Sequence, residues 1–170
     1  MNVIETERLS IRPMVEADAA FILRLQNDPS WLRWIGNRGI RSLEDARRYI
    51  RTGPLDMYAR LGFGFRVIEI NGSPTPIGIC GMAKRPYLDD PDIGFALLPE
   101  YCGRGYAFEA AQGVLSNART TLGLSRIVAT TRPDNQRSAS LLRKLGLTFK
   151  MQFLHPDGDR SLDLYKTEPD

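Results

Sequence analysis

The stretch of this chain best suited to chemistry is Pro99-Glu100-Tyr101-Cys102-Gly103-Arg104-Gly105-Tyr106-Ala107, which lies between a strand-like run and the longest amphipathic segment. Two glycines and an alanine strip side chains from a helix N-terminus, so successive backbone N–H groups can converge on one anion. The helix dipole adds to that attraction, and Arg104 sets a cation beside it. Such a turn suits a pyrophosphate. A P-loop is excluded, because Gly105-Tyr106-Ala107 stands where Gly-Lys-Ser/Thr is required. A dinucleotide fingerprint fits Gly103 and Gly105 but meets Phe108 at the third glycine, and it expects an open parallel sheet. A glycine turn that only bends the chain tightly is the structural alternative.

Charge favours an anion in the same region. Residues 101–150 carry eight basic side chains against only Glu109 and Asp134, a net of +6. The plain alternative is a solvated basic face. Three carboxylates, Asp89, Asp90 and Asp92, precede the glycine turn, and a carboxylate at a cleft serves as a base or as an anchor for a cationic amine. His155, the only histidine, sits beside Pro156 in the Asp157-Gly158 turn and is expected to be exposed and inert. Cys80 and Cys102, the only cysteines, show no CxxC spacing, so two buried free thiols are expected and a structural zinc site is excluded.

The elements that must position these residues follow from periodicity. Val3 to Arg12 reads as a strand ending at Pro13, and Glu16 to Asn27 as a helix stopped by Asp28-Pro29. Trp31, Trp34 and Ile35 make an unusually apolar linker, either core or the wall of a substrate cleft. Ser42-Leu43-Glu44-Asp45 has capping-box form and opens a second helix that Gly53-Pro54 ends. Phe63, Phe65 and Val67 alternate before Ile68 and Ile70 take over, which predicts a bulge or burial on both faces. Asn71-Gly72 turns the chain into a strand from Ile77 to Lys84, and Asp92 to Leu98 is the third strand of the meander. Gly105 to Leu122 is a long helix closed by Gly123. Arg126 to Thr131 is a short strand. Asp134 or Asn135 caps a helix bearing Ser138, Leu141, Leu142 and Leu145, and the strands Leu147 to Leu154 and Arg160 to Tyr165 flank the last turn. The order β-α-α-β-β-β-α-β-α-β-β predicts an α/β fold with a mixed, mostly antiparallel sheet and one βαβ crossover.

With 170 residues, 42% hydrophobic and 25% charged, the chain is expected to form one globular domain over residues 1–170. A net charge of +3 does not mark a nucleic-acid protein. No signal peptide and no run long enough to span a membrane is read, so a cytoplasmic protein is expected.

Cys102-Gly103-Arg104-Gly105-Tyr106-Ala107 resembles the coenzyme-A pyrophosphate loop of the GNAT superfamily of N-acetyltransferases, usually Q/R-x-x-G-x-G/A. Three further stretches resemble its Rim-like branch, the ribosomal-protein N-terminal acetyltransferases. They are Thr6-Glu7-Arg8-Leu9-Ser10-Ile11-Arg12-Pro13, Asp92-Ile93-Gly94-Phe95-Ala96-Leu97-Leu98-Pro99-Glu100-Tyr101, and Asn135-Gln136-Arg137-Ser138 leading to Lys144-Leu145-Gly146-Leu147. The four run in the family's order and span most of the chain. Cys102 departs from the usual Gln or Arg, and Asp92 stands where many relatives have Glu.

The resemblance implies a GNAT-like sheet with a splayed central strand pair, and acetyl-CoA as cosubstrate without a metal. The amine acceptor would be a protein N-terminus or a small molecule, with no nucleic acid or membrane partner, and the enzyme a monomer or homodimer. It implies a bulge in the strand Asp92–Leu98 that parts it from Arg126–Thr131. Backbone groups at Phe95, Ala96 and Leu97 would pair with pantetheine, and the amides of Gly103, Arg104, Gly105, Tyr106 and Ala107 would hold the pyrophosphate. Asn135 would hydrogen-bond pantetheine, Asp92 would be the base, acting through water, and Ser138 the acid that protonates the thiolate. Trp31, Trp34 and Ile35 would roof the acceptor side, where Asp89, Asp90 and Asp92 suit a cationic amine on a partly apolar body. A CoA-binding sensor without catalysis is the second reading, and a small dinucleotide-binding oxidoreductase the third. Thiol release from acetyl-CoA separates the first two.

Overall fold

The computed structural model describes residues 1–168. Alternating apolar residues build its central strands: Leu9 and Ile11, then Ile68, then Cys80 and Met82, all buried on one face of the sheet. Val67 and Ile79, each one residue out of phase, are buried on the other face. Burial on both faces therefore accounts for the run Val67-Ile68, and a register shift between Ile68 and Glu69 supplies a bulge as well. The strands are β1 (Ile4–Glu5), β2 (Leu9–Pro13), β3 (Phe65–Ile70), β4 (Pro76–Ala83), β5 (Asp92–Leu97), β6 (Val128–Thr131), β7 (Leu147–Leu154) and β8 (Ser161–Thr167). They form one sheet in the order β1-β2-β3-β4-β5-β6-β8-β7, antiparallel throughout except where β5 meets β6.

The helices divide between the faces. On one lies α5 (Tyr106–Thr120), whose Ala110, Ala111, Val114 and Ala118 are buried against Leu9, Ile11 and Ile68, with α6 (Gln136–Lys144) beside it through Leu142. On the other lie α1 (Ala19–Gln26), α2 (Pro29–Trp34) and α3 (Leu43–Ile50), packing Ile22, Leu25, Trp31, Ala46 and Ile50 on Val67 and Ile79. This is the α/β architecture expected from the element order.

Several boundaries differ from the sequence reading. Val3 to Arg12 is two strands, because Thr6 Oγ1 bonds the Leu9 N–H at 3.1 Å and the chain turns between them. The helix before Asp28 opens with a 3₁₀ turn, Glu16–Asp18. Asp28-Pro29 stops one helix and starts the next: the Asp28 carboxylate accepts the Ser30 N–H at 2.9 Å, so the apolar linker is α2. Gly53-Pro54 does not end α3. The chain passes through one wider π turn, Arg51–Leu55, into α4 (Asp56–Leu61), which ends at Gly62 with φ 75°. A wider turn accommodates a proline that has no N–H to donate. The strand begun at Arg126 forms only from Val128, and α5 starts at Tyr106, with Gly105 as its left-handed cap.

The N-terminal hairpin clasps α5. Glu109 accepts the Thr6 hydroxyl and the Arg8 backbone N–H, each at 2.7 Å, and the Arg8 guanidinium at 2.6 Å. Burial alone would raise the Glu109 pKa. The Thr6 hydroxyl and the Arg8 groups outweigh it and hold the carboxyl below its usual range. Because Arg8 is itself exposed, solvent screens much of its attraction to Glu109. The contribution of the clasp is present above the ordinary carboxylate pKa and is lost as pH falls through the depressed value. Glu109→Gln should therefore lower the urea midpoint at neutral pH, and the gap to the wild type should close in acid. A gap that stays constant with pH would remove the charge from this account.

Candidate active site

The site begins where two strands part. β5 keeps six consecutive in-register partners on β4, from Ala83–Asp92 to Gly78–Leu97. The Leu98 N–H donates to the Ile77 carbonyl at 2.9 Å. Antiparallel alternation then turns the backbone groups of Ala96, Gly94 and Asp92 toward β4 and those of Phe95 and Leu97 toward β6. On β6 the Thr167 N–H donates to Ile127 at 2.9 Å, so by the same alternation Val128 and Thr130 face β5. The strands meet only at Asp92 and Val128, where the Val128 N–H reaches the Pro91 carbonyl at 2.9 Å. Beyond that position they fork. An extended molecule with amide groups can continue the ladder there.

Two expectations change. The β4–β5 pairing shows no register shift, so no bulge in Asp92–Leu98 parts the strands. Each arm is instead held by its outer neighbour, β5 by β4 and β6 by β8. Ala96 spends its backbone groups on Ile79, so Phe95 and Leu97 alone of the three turn theirs to the fork.

The open end of the fork carries the glycine turn. Gly103 and Gly105 have φ of 79° and 82°, a left-handed conformation that side-chain-bearing residues rarely adopt. No side chain caps the start of α5, which leaves its first-turn N–H groups free for an anion. Arg8, Arg104 and Arg137 surround the turn. Arg8 Nη1 donates to the Arg104 carbonyl at 2.9 Å, and its guanidinium lies 4.6 Å from the centre of the Tyr106 ring. A β-carbon on Gly105 would come within 3.2 Å of Arg8, and one on Gly103 within 3.9 Å of Arg137. Asn135, not Asp134, caps α6 by accepting the Ser138 N–H at 3.2 Å.

A cleft of about 620 Å³ runs along the fork and reaches the glycine turn only through its neighbours Cys102, Ala107 and Arg137; Gly103, Arg104, Gly105 and Tyr106 do not line it. Ala107, Asn135 and Ser138 line it beside the helix starts, Phe95, Ala96 and Leu97 along β5, and Asp92 at the first residue of that strand, and Trp31, Trp34 and Ile35 line it as well. Asp92 is 6% exposed, and no hydrogen bond reaches its Oδ1 from the described residues. Arg85 Nε lies 3.7 Å away, an ion-pair contact too long for a hydrogen bond. Burial pushes the Asp92 carboxyl above the usual carboxylate range, and the Arg85 charge opposes this only in part.

The remaining expectations divide. Asp89 is exposed and neither it nor Asp90 lines the cleft, because the loop turns both away from it. Cys80 is buried, and burial raises its thiol pKa well above the usual value. Cys102 is only half-buried and lines the cleft. His155 is not exposed: its side chain keeps 11% of its surface and packs edge-on against Tyr87, 4.9 Å between ring centres. Arg38, Arg85 and Arg160 line the cleft and escaped the sequence reading. They come from three separate loops, and no spacing in the chain joins them.

These features define an acyltransferase fold with a forked sheet. The family described as acetyltransferase (GNAT) domain matches residues 8–148, and the chain belongs to that family. A relative from Bacillus subtilis, described as the uncharacterized N-acetyltransferase YoaA, is 31% identical over 145 residues, 85% of this chain and 81% of its own. The FsC-acetyl coenzyme A-N(2)-transacetylase of Aspergillus fumigatus is 26% identical over 159 residues, 89% and 67% of the two chains. Among solved structures, an acetyltransferase from Agrobacterium tumefaciens matches with TM-score 0.83 at 26% identity, over 99% of this chain and 95% of its own. RimL, a ribosomal L7/L12 α-N-protein acetyltransferase in complex with coenzyme A, shares the fold at TM-score 0.84 and 20% identity, over 99% of each chain.

A buried carboxyl with a raised pKa costs stability only when ionised. The cost is absent below the ordinary aspartate value, grows as pH rises to the raised value, and is full above it. Asp92→Asn should therefore raise the melting temperature at neutral pH, with the advantage shrinking on acidification. An advantage that does not change with pH, or a loss at neutral pH, would contradict the assigned titration.

Proposed function

We propose that residues 1–170 form one N-acetyltransferase domain that moves an acetyl group from acetyl-CoA to a primary amine by direct attack. The observation that carries this reading is the continuity of one cleft, from Ala107 in the first turn of the uncapped helix α5, along the forked strands, to buried Asp92. A thioester cosubstrate has a pyrophosphate, an amide-bearing arm and a reactive end, in that order, and the cleft offers a counterpart to each. The backbone amides from Gly103 to Ala107 take the pyrophosphate, with Arg104 and Arg8 adding charge. Phe95 and Leu97 continue their ladder onto the pantetheine amides, and Asn135 adds a hydrogen bond from the facing helix.

Direct transfer then needs a neutral amine, a stabilised oxyanion and a protonated thiolate. A primary amine is mostly cationic at neutral pH. Asp92, its basicity raised by burial, takes that proton directly or through one water. The amine nitrogen attacks the thioester carbonyl, and a backbone N–H at the fork steadies the oxygen as it becomes anionic. Collapse of the tetrahedral intermediate breaks the carbon–sulfur bond, and the Ser138 hydroxyl supplies a proton to the sulfur. An α-amine titrates nearer neutrality than a lysine side chain and asks less of the base. A peptide N-terminus or an aminoacyl-type small molecule is therefore the favoured acceptor. The RimL likeness, a shared fold, is consistent with the first.

Thiol release from acetyl-CoA in the presence of an amine panel tests the reaction. Gly105→Val puts a branched side chain at φ 82° and against Arg8, so CoA affinity measured by calorimetry should fall at least about tenfold. Circular dichroism checks that the variant is folded, and unchanged affinity would sink the loop assignment. Ser138→Ala should lower kcat about tenfold or more while leaving CoA affinity nearly intact, since the hydroxyl matters only as the thiolate departs. An equal rate in that variant would leave protonation of the sulfur to water.

A further inference from the structure

The cleft carries the opposite charge from the one an acceptor amine alone would call for. Among the described residues, Asp92 is the only acidic side chain lining the cleft, whereas five arginines line it. Arg137 belongs to the glycine-turn end, 3.9 Å from a β-carbon placed on Gly103. The other four come from loops elsewhere on the cleft wall. Arg85 leaves the end of β4 and lies 3.7 Å from Asp92. Arg132 donates from Nε to the Trp34 carbonyl at 3.4 Å. Arg160, in the β7–β8 turn, has only exposed Asp159 as an ion-pair contact, at 3.8 Å, and lies 3.9 Å from a β-carbon placed on Gly36, in the loop that carries Arg38. Arg38 forms no ion pair with any described residue. Desolvation is the first cause that lowers its pKa, and the charges of Arg85 and Arg160 lower it further. Three guanidinium groups from three loops thus face one space with a single buried carboxylate between them.

Cofactor phosphates do not account for this cluster. Asp92 and Leu97 stand at opposite ends of a six-residue strand, about 16 Å apart at the usual rise. The glycine turn follows Leu97, and Arg85 sits at Asp92. Phosphates held at the turn therefore lie far from Arg85. Like charges brought together in a cleft cost free energy unless an anion joins them. Guanidinium forks match a carboxylate in particular, through paired N–H donors.

We propose that the acceptor carries a carboxylate close to the amine that is acetylated, and that Arg38 and Arg160 bind it while Arg85 positions Asp92. This rests on the acetyl-transfer reading above and narrows its acceptor. The acceptor is zwitterionic: its ammonium meets Asp92, its carboxylate meets the arginines, and its apolar body lies under Trp34. A free amino acid supplies the carboxylate from its own α-carbon. A peptide N-terminus supplies it from acidic side chains in its first residues. Polyamines and lysines in basic surroundings are rejected by charge.

The test uses matched acceptors with the whole chain and acetyl-CoA. L-Phenylalanine is compared with L-phenylalaninamide, and a tetrapeptide amide bearing aspartate at its second and third positions with its asparagine counterpart. The carboxylate member of at least one pair should have the higher kcat/KM by about tenfold or more, and the pair that shows it identifies the source. Arg38→Gln and Arg160→Gln should each reduce that ratio at least about fivefold, mainly through KM, and raised salt should reduce it too. Loss of a purely structural role would lower both members alike and leave the ratio unchanged, which overturns the proposal. Equal rates for both members of both pairs overturn it as well, while leaving the transferase reading intact. If no amine is acetylated, that reading fails, and the proposal is judged on binding to the protein–CoA complex by calorimetry. There the carboxylate member must bind more tightly than its amide in the wild type and lose the advantage in Arg38→Gln.

Discussion

Two neighbouring strands that pair at one position and then separate leave backbone N–H and C=O groups facing each other across a gap, and the rest of the molecule is arranged around that gap. An unpaired buried backbone group is costly, so a fork persists only where something else holds each arm. Here β4 holds β5 through six register pairs and β8 holds β6 through four. Neither arm can close on the other without breaking its outer ladder. The gap is therefore a product of two complete half-sheets, not of an irregular strand between them. Opening at the C-terminal ends of β5 and β6, it meets the starts of both α5 and α6, and at α5 the uncapped first-turn N–H groups.

The same constraint explains why the N-terminal hairpin matters. Gly103 and Gly105 take a left-handed conformation that disfavours side chains, so the turn has little packing of its own to fix it. Glu109, one turn into α5, ties that helix to Thr6 and Arg8, and Arg8 reaches back to the Arg104 carbonyl. A stretch that reads as one strand in the sequence is thereby two short strands and a clasp. Its polar residues position the anion-binding turn from outside, while leaving the turn's own amides free.

At the other end of the fork, burial and charge act on Asp92 in opposite directions. Desolvation favours its protonated form, and Arg85 at 3.7 Å favours the ionised form without forming a hydrogen bond that would quench it. A carboxyl held this way is a stronger base than one in water. Arg85 also belongs to the arginines that line the cleft, so in the proposed reaction the group that restrains the base would be part of the surface that selects the substrate.

Much of this was legible in the chain itself. Alternation in β2 to β5, the capping residues Ser42 and Asn135, and the stop glycines at 123 and 146 are local signals, set by backbone conformation and by periods of 2 and 3.6 residues. The glycine turn belongs with them, because a bare helix start announces itself in consecutive residues. Local rules failed where distant residues supplied the deciding partner. Thr6 ends β1 because Leu9 and Glu109 take its hydroxyl, and the chain stays helical past Pro54, from α3 into α4, because a widened turn absorbs the missing N–H. The sign of the acceptor end was misread for the same reason. Asp89, Asp90 and Asp92 are neighbours in sequence, yet only Asp92 lines the cleft, while Arg38, Arg85 and Arg160 are far apart in the chain and meet there. Spacing along a chain determines which backbone turns and helices form, but electrostatics depends on distance through space, and only the tertiary structure decided that.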